Sequence, residues 1–208
     1  MAIFAILISL IILIYSSVLH EIAHGYVAYR LGDPTAKLQG RLTLNPFPHI
    51  DPFYSILMPL ITSLSGFIIG GAKPVPVDPF NLRDGFRDLA LVSLAGPLTN
   101  LILAVAASVV THALFPGFSL GEVRVSGLLG FILSSIISLN LLLAIFNLLP
   151  IPPLDGSKLF TLLLSPKQAA AYLSLESIGL FIILGIFMLG GFTYLSLLIS
   201  FAESLLGF

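Results

Sequence analysis

Long apolar stretches alternate with short polar connections along this chain of 208 residues. The first apolar stretch covers residues 2–31 and ends at Gly32-Asp33-Pro34, where glycine and proline both stop a helix. At 1.5 Å per residue this helix is about 43 Å long, which is enough to cross a bilayer with some tilt. The pattern predicts further apolar helices at about 86–115, about 127–149, 172–190 and 192–207.

The connections between these helices contain other local patterns. Alternation of apolar and polar residues over 38–44 predicts a short strand, and the two prolines within 73–77 predict an extended segment. Residues 53–72 are apolar, but one proline and three glycines interrupt them. These residues give 53–72 places to turn, and we expect it to be a re-entrant or interfacial segment.

The composition identifies the class of protein. The chain is 57% hydrophobic and only 9% charged, with a mean hydropathy of +1.08, whereas soluble domains carry roughly 25% charged residues. The sequence therefore predicts an integral membrane protein, and its net charge of -1 gives no reason to expect a nucleic-acid partner. Because the chain has no cysteine, any metal must be held by histidine, aspartate or glutamate.

The first apolar helix carries a metal-binding pattern, His20-Glu21-Ile22-Ala23-His24. Two histidines four positions apart lie on one helix face, so their imidazoles are placed to bind one zinc ion from adjacent turns. Glu21 lies beside them, where a carboxylate can activate a zinc-bound water. The alternative is a pair of surface histidines at a helix end, but ionisable groups inside a membrane helix are costly and mark functional sites.

A catalytic zinc ion usually has three protein ligands and a water, so a third ligand is required. Asp155 is the strongest candidate, because it follows a membrane helix and a proline-rich stretch at 150–153. Irregular backbone at membrane depth occurs where it lines a cavity or is buried in protein. Asp155 is equally suited to cap the N-terminus of a short helix predicted at 157–164, and the residue pattern alone leaves both interpretations open.

Three segments of the chain resemble the site-2 protease family of intramembrane zinc metalloproteases, specifically its compact branch without a PDZ domain. They are the His20–His24 motif, the small-residue segment Ala95–Asn100, and the pair of motifs Asn147-Leu148-Leu149-Pro150 and Leu154-Asp155-Gly156. The similarity extends from about residue 18 to about 165. It implies an all-α polytopic membrane protein in which three transmembrane helices surround a buried zinc site, with short membrane-associated strands and a C-terminal apolar helix pair.

The resemblance also implies roles for individual residues. His20, His24 and Asp155 would bind one zinc ion per chain, and Glu21 would be the catalytic acid and base. Asn147 would hold the substrate or its oxyanion. The substrate would be a membrane protein with a locally unwound transmembrane helix, which could pair with an edge strand at 38–44 or 73–77.

Three further polar residues are weaker candidates for substrate binding. Asn140 lies seven residues before Asn147, and an interhelical hydrogen bond is the more conventional role for it. Asn100 could either pack between helices or line the site. His49 lies in a loop with several prolines, where a structural role is the more conventional one and the alternatives are a hydrogen-bond partner of a site residue or a gate.

The chain is expected to form one membrane-embedded domain, 1–208, with a catalytic core at about 2–165 and a helix pair at about 172–207. For one metal to touch both motifs, the first and third core helices must be parallel and the second antiparallel. Most basic residues then lie on the zinc side, which the positive-inside rule assigns to the cytoplasmic face of the cell membrane. The rival functions are a membrane zinc hydrolase with a non-peptide substrate, and a metal carrier or transporter that would not require Glu21.

Overall fold

The computed structural model describes residues 2–63 and 70–208, and within them it contains ten α-helices. Their bounds are Ala2–Leu31 (α1), Thr35–Leu38 (α2), Met58–Ser63 (α3), Gly85–Leu114 (α4), Leu120–Val125 (α5), Leu128–Asn147 (α6), Asp155–Phe160 (α7), Pro166–Leu173 (α8), Gly179–Ile186 (α9) and Phe192–Leu205 (α10). Short 3-10 turns lie at Phe47–His49, Pro79–Asn81, Thr161–Leu163 and Ser174–Ile178, and π-helical turns at Pro52–Leu57 and Phe187–Gly191.

Among the described residues, four helical stretches are long and apolar enough to cross a membrane: Ile3–Leu31, Gly85–Leu114, Leu128–Asn147 and Pro166–Leu205. The predicted ends of α1, α4 and α6 agree with the structure to within two residues. The prediction of an all-helical, multi-pass membrane protein is therefore confirmed. The long apolar runs made this possible, because a helix satisfies every backbone polar group of a membrane-spanning segment internally.

Helices α1 and α4 run antiparallel along a shared interface. His20 contacts Asn100, and His24, one turn further along α1, contacts Val92, two turns earlier in α4. Advancing along α1 therefore means moving backwards along α4.

Helix α6 runs parallel to α1 and antiparallel to α4. Asn140 of α6 contacts Ser16 of α1, and Asp155, which follows α6, contacts His20 one turn later in α1. An apolar cluster fills the space between α4 and α6, with Ala104, Ala107, Leu120, Ile137 and Leu141 buried. The contacts between α1, α4 and α6 thus have the directions that a single shared metal requires.

The strand predicted at 38–44 is absent, and the described residues contain no strand elsewhere. Leu38 ends α2, and Gly40 then turns the chain with a φ of +65°. Arg41 donates Nη2 hydrogen bonds to the carbonyl oxygens of Lys73 (2.7 Å) and Pro74 (3.3 Å). A side chain therefore joins these two segments.

The apolar segment 53–72 is helical over its first part and falls partly outside the described residues, at 64–69. Its two ends are held together, because Ser55 Oγ donates to the carbonyl oxygen of Gly71 (2.7 Å). Close by, the Lys73 amide donates to the carbonyl oxygen of His49 (2.7 Å). Residues 49–55 therefore lie next to residues 71–73.

The C-terminal helices differ from the predicted pair in their lengths. The first helix of the C-terminal pair, α9, begins at Gly179 and not at the predicted residue 172, because α8 and a 3-10 turn occupy the residues before it. The chain changes direction at Gly190, whose φ is +95°, and this agrees with the predicted boundary between 172–190 and 192–207. Helix α10 then extends to the far end of α4, where His112 Nε2 donates to the carbonyl oxygen of Leu206 (2.7 Å).

A buried carboxylate fixes the loop that follows α1. Asp33 is fully buried and accepts hydrogen bonds from the Thr35 amide and hydroxyl, the Asp78 amide (2.7 Å) and Asn81 Nδ2 (3.1 Å). Burial raises the pKa of the Asp33 carboxyl, but the donated hydrogen bonds outweigh it and hold the pKa below its ordinary value. Asp33 therefore ties residues 78–81 to the end of α1.

We expect Asp33→Asn to lower the free energy of unfolding at neutral pH by about 1.5–3 kcal/mol, because an amide nitrogen would face donors of hydrogen bonds. A depressed folded-state pKa stabilises the fold above the unfolded value of about 3.9, and that stability is lost as pH falls through the folded pKa. The measurement is denaturant unfolding of the detergent-purified protein between pH 7 and pH 3.

The matched control is Asp84→Asn, which alters an exposed carboxylate paired with Arg87 on the surface. It should change the unfolding free energy by less than about 0.5 kcal/mol. Equal unfolding free energies for Asp33→Asn and Asp84→Asn would contradict the structural role of Asp33.

Candidate metal centre

Three donor atoms, two from α1 and one from α7, meet next to α4. His20 and His24 are buried, and their Nε2 atoms lie 2.9 Å apart. The Oδ2 atom of Asp155 lies 3.2 Å from each Nε2. The fold thus brings together the three residues predicted as metal ligands. Among the described residues, no other group of three or more histidine, aspartate or glutamate side chains is close enough to hold a metal ion.

The donor set fits a zinc ion. Zinc binds imidazole nitrogen and carboxylate oxygen at about 2.0–2.2 Å, so tetrahedral ligand atoms lie roughly 3.3–3.5 Å apart. The observed separations of 2.9–3.2 Å are close to these values. Two imidazoles and one carboxylate are a ligand set of catalytic zinc sites, where the fourth position belongs to water or substrate.

Each histidine has its second ring nitrogen occupied by a neighbouring helix. His24 Nδ1 donates to the backbone carbonyl of Val92 (2.7 Å), and because a carbonyl only accepts, the lone pair of His24 lies on Nε2. His20 Nδ1 lies 2.5 Å from Asn100 Oδ1. Such outer contacts orient imidazole ligands and fix their tautomers.

Asp155 is the first residue of α7, and the helix-cap position belongs to Leu154. The carboxylate of Asp155 turns towards the two histidines and makes no cap hydrogen bond. Of the two interpretations that the sequence left open, the structure therefore favours the metal-facing one.

The irregular backbone before Asp155 is held by side chains and by close packing. The Tyr172 hydroxyl donates to the carbonyl oxygen of Pro150 (2.6 Å), and Lys158 Nζ donates to that of Pro153 (2.7 Å). A Cβ atom at Gly156 would lie 2.1 Å from the carbonyl oxygen of Leu148, so only glycine fits there. These contacts place Asp155 beneath the histidines.

Glu21 lies beside the donor cluster and contacts the extended segment 73–77. Its Oε2 accepts a hydrogen bond from the Val75 amide (2.6 Å). The carboxylate and this segment therefore meet beside the cluster. The extended segment was predicted, but the contact between Val75 and Glu21 was not.

Asn147 is half-buried near the end of α6, and its Nδ2 donates to the carbonyl oxygen of Leu143 (2.9 Å). An amide nitrogen carries two hydrogens, so this bond accounts for one of them.

The three weaker candidates for substrate binding lie inside the protein. Asn100, Asn140 and His49 are each fully buried. Asn100 Nδ2 donates to Asn140 Oδ1 (2.8 Å), and His49 Nε2 donates to the carbonyl oxygen of Thr43 (3.1 Å). Because none of these side chains has exposed surface, their positions do not support direct contact with a substrate.

Gly96 is a site residue that the sequence did not single out. A Cβ atom there would lie 2.4 Å from His24 Nε2 and 2.5 Å from His20 Nε2. The small residues of 95–100 are of the kind that allows close approach between membrane helices. The approach against the metal-facing atoms themselves becomes visible only when α1 and α4 are aligned.

Known proteins share much of this sequence. The profile described as Peptidase family M50 matches residues 117–190. YwhC of Bacillus subtilis is 42% identical over 201 residues, which cover 94% of this chain and 88% of YwhC. Rip2 of Mycolicibacterium smegmatis is 35% identical over 170 residues, which cover 79% of this chain and 60% of Rip2. Both are named as predicted zinc metalloproteases. No solved structure matches the chain significantly.

We predict that Gly96→Ala weakens zinc binding at least about tenfold, because the added methyl group forces the two imidazoles apart from their shared position. The measurement is the zinc dissociation constant of the purified protein by chelator competition. Gly185→Ala is the control, since a Cβ atom at this helical glycine meets nothing within 4 Å. Unchanged zinc affinity in Gly96→Ala would contradict the geometry of the centre.

Proposed function

This chain belongs to Peptidase family M50, the site-2 proteases, and is an intramembrane zinc metalloprotease. We propose that His20, His24 and Asp155 hold its single zinc ion. The observation that carries this assignment is the cluster of three donor atoms within 3.2 Å of one another, in which both histidines are buried and Asp155 is partly buried. We propose that the enzyme cleaves peptide bonds in or near transmembrane segments of membrane proteins.

We assign the proton transfers to Glu21. Zinc at this site would supply a Lewis acid that polarises the scissile carbonyl and acidifies a water molecule. Glu21, beside the histidines, would take the proton from the attacking water and deliver it to the leaving amine. The Val75 amide holds the Glu21 carboxylate on the side of the site where segment 73–77 lies.

We assign a hydrogen bond to the developing oxyanion to Asn147. One of its two amide hydrogens points to the Leu143 carbonyl, which anchors the side chain to its own helix. The second hydrogen is the one that we assign to the substrate. A donor fixed in advance stabilises charge that develops in the transition state without reorganisation at that moment.

We propose that an unwound substrate segment adds alongside residues 75–77. Backbone groups of the first half of the extended segment are already engaged. Lys73 donates to His49, Arg41 binds the carbonyls of Lys73 and Pro74, and the Val75 amide binds Glu21. An extended peptide beside the remaining backbone groups, from the Val75 carbonyl to Val77, would place its carbonyl groups next to Glu21, by strand addition.

We propose that the zinc end of the bundle lies at the cytoplasmic face of the cell membrane. One basic residue, Arg124, lies between α4 and α6 on the opposite side, and the remaining eight of nine lie on the zinc side. They are Arg30, Lys37, Arg41, Lys73, Arg83, Arg87, Lys158 and Lys167. The joined ends of segment 53–72 support a re-entrant path, since Ser55 and Gly71 are in contact.

The site assignment predicts that metal binding and chemistry separate by mutation. His20→Ala and His24→Ala should lose zinc, and Asp155→Ala should lose it to a lesser degree, whereas Glu21→Gln should keep it. Glu21→Gln should reduce cleavage of an unstructured protein substrate by roughly two to four orders of magnitude, because the base is removed. Zinc content is measured by elemental analysis and cleavage by gel electrophoresis.

His112→Ala is the matched control, since this histidine lies at the far end of α4 and bonds Leu206. It should retain both zinc and cleavage. Zinc retained in a His20→Ala/His24→Ala double variant, or near-normal turnover by Glu21→Gln, would refute the corresponding assignment.

The orientation proposal predicts the labelling of single cysteines, which can be introduced directly because the chain contains none. Cysteines at Lys37, Arg83 and Lys167 should react with an impermeant thiol reagent only from the cytoplasmic side, and one at Gly121 only from outside. If Lys37 and Arg83 report opposite faces, segment 53–72 crosses the membrane and the shared site with Asp155 is wrong.

A further inference from the structure

A line of buried polar side chains runs from the donor cluster across all three core helices. His20 Nδ1 meets Asn100 Oδ1 (2.5 Å), Asn100 Nδ2 meets Asn140 Oδ1 (2.8 Å), and Asn140 Nδ2 meets Ser16 Oγ (3.0 Å). We propose that Asn140 is a positioning residue for the metal, acting through Asn100 to fix the tautomer and orientation of His20. The inference rests on the proposed zinc site and adds residues to it that touch neither metal nor substrate.

The direction of the line is set by one backbone group. Asn140 Nδ2 also donates to the carbonyl oxygen of Ile136, one turn earlier in α6 (2.9 Å). Because a carbonyl only accepts, the nitrogen end of the Asn140 amide must face Ile136. Its oxygen end must therefore face α4, where Asn100 lies.

The same logic carries the direction to His20. The Asn140 oxygen accepts, so Asn100 must present its nitrogen to Asn140 and its oxygen to α1. The Asn100 oxygen can only accept from His20 Nδ1, which must therefore carry the proton. The lone pair of His20 is then on Nε2, the atom that faces Asp155 and His24.

Burial makes this orientation strict. Asn100 and Asn140 have no exposed surface and Ser16 is 5% exposed, so water does not compete for their hydrogen bonds. If the Asn140 amide were reversed, its oxygen would face the Ile136 carbonyl oxygen, and two acceptors would meet. Its nitrogen would face Asn100 Nδ2, and two donors would meet. Unsatisfied buried polar groups cost more than the net value of a hydrogen bond, so the network has one stable direction.

His24 provides an internal comparison. Its Nδ1 donates directly to the Val92 backbone carbonyl, so its tautomer is fixed without any side chain. His20 has no such backbone acceptor at Nδ1 and depends on an amide that could point either way. The proposal therefore predicts that changes at Asn140 affect the His20 ligand and leave the His24 ligand unchanged.

The test is the zinc dissociation constant of detergent-purified protein, measured by chelator competition. Asn140→Leu should weaken zinc binding about 10- to 100-fold, which is the usual cost of losing an outer-shell contact. Asn100→Leu should weaken it at least as much, and the double variant no further than Asn100→Leu alone, because both act through one contact. Thr111→Val is the control: this residue is fully buried in α4, and its hydroxyl bonds the Ala107 carbonyl of the same helix.

Rescue separates positioning from packing. Asn100→Asp presents an acceptor whichever carboxylate oxygen faces His20, so its orientation no longer needs Asn140. In the Asn100→Asp background, Asn140→Leu should therefore change zinc affinity less than about threefold, whereas a packing defect would persist there. Unchanged zinc affinity in Asn140→Leu, or a full loss in the Asn100→Asp background, overturns the proposal.

A spectroscopic measurement on the wild-type protein covers the case in which Asn140→Leu does not fold. Nitrogen-15 NMR of histidine-labelled, zinc-loaded protein should show His20, identified through Asn100→Asp, bound through Nε2 with a proton on Nδ1. Binding through Nδ1 overturns the proposal. Absence of zinc binding by the wild type would instead refute the proposed metal site, so the two failures are distinguishable.

Discussion

Two imidazole nitrogens and one carboxylate oxygen lie within 3.2 Å of one another inside a bundle of apolar helices, and much of the structure follows from holding them there. Polar groups in a low-dielectric interior are stable only when each one is satisfied. The second nitrogen of each histidine therefore needs an acceptor, which α4 supplies through Val92 and Asn100. The close approach of α4 in turn requires glycine at position 96.

The same constraint explains the irregular backbone around the centre. A carboxylate can face the histidines only if α6 ends and the chain turns back, and the carbonyl groups exposed by that turn need donors. Lys158 and Tyr172 supply them. The extended segment that contains Val75 is held in the same way. Arg41 donates to a carbonyl group before Val75, and Asp33 accepts from an amide after it. The Val75 amide itself donates to Glu21. Side chains thus do here what backbone ladders do in regular structure.

The sequence predicted the helix ends well, because apolar runs interrupted by glycine and proline are local signals. It predicted the histidine pair for the same reason, since residues 20 and 24 share one helix. The third ligand was open on local physics, because Asp155 suits a helix cap as well as a metal. The prediction of a strand at 38–44 was wrong. This segment is held by the side-chain contact of Arg41 with a backbone group 32 residues away, which alternation of apolar and polar residues does not reveal. The interhelical hydrogen bond expected for Asn140 was correct. Its partners Asn100 and Ser16, and the contact of Gly96 with the histidines, depend on how the helices are aligned, which no local pattern encodes.

The proposed centre is a zinc ion held by His20, His24 and Asp155, with both imidazoles bound through Nε2. Zinc K-edge X-ray absorption of the purified wild-type protein measures the ligands of that ion. We expect one shell of nitrogen and oxygen atoms around zinc at about 2.0–2.2 Å, with the outer scattering of two imidazole rings. A shell with no imidazole scattering, or with a single ring, would contradict it.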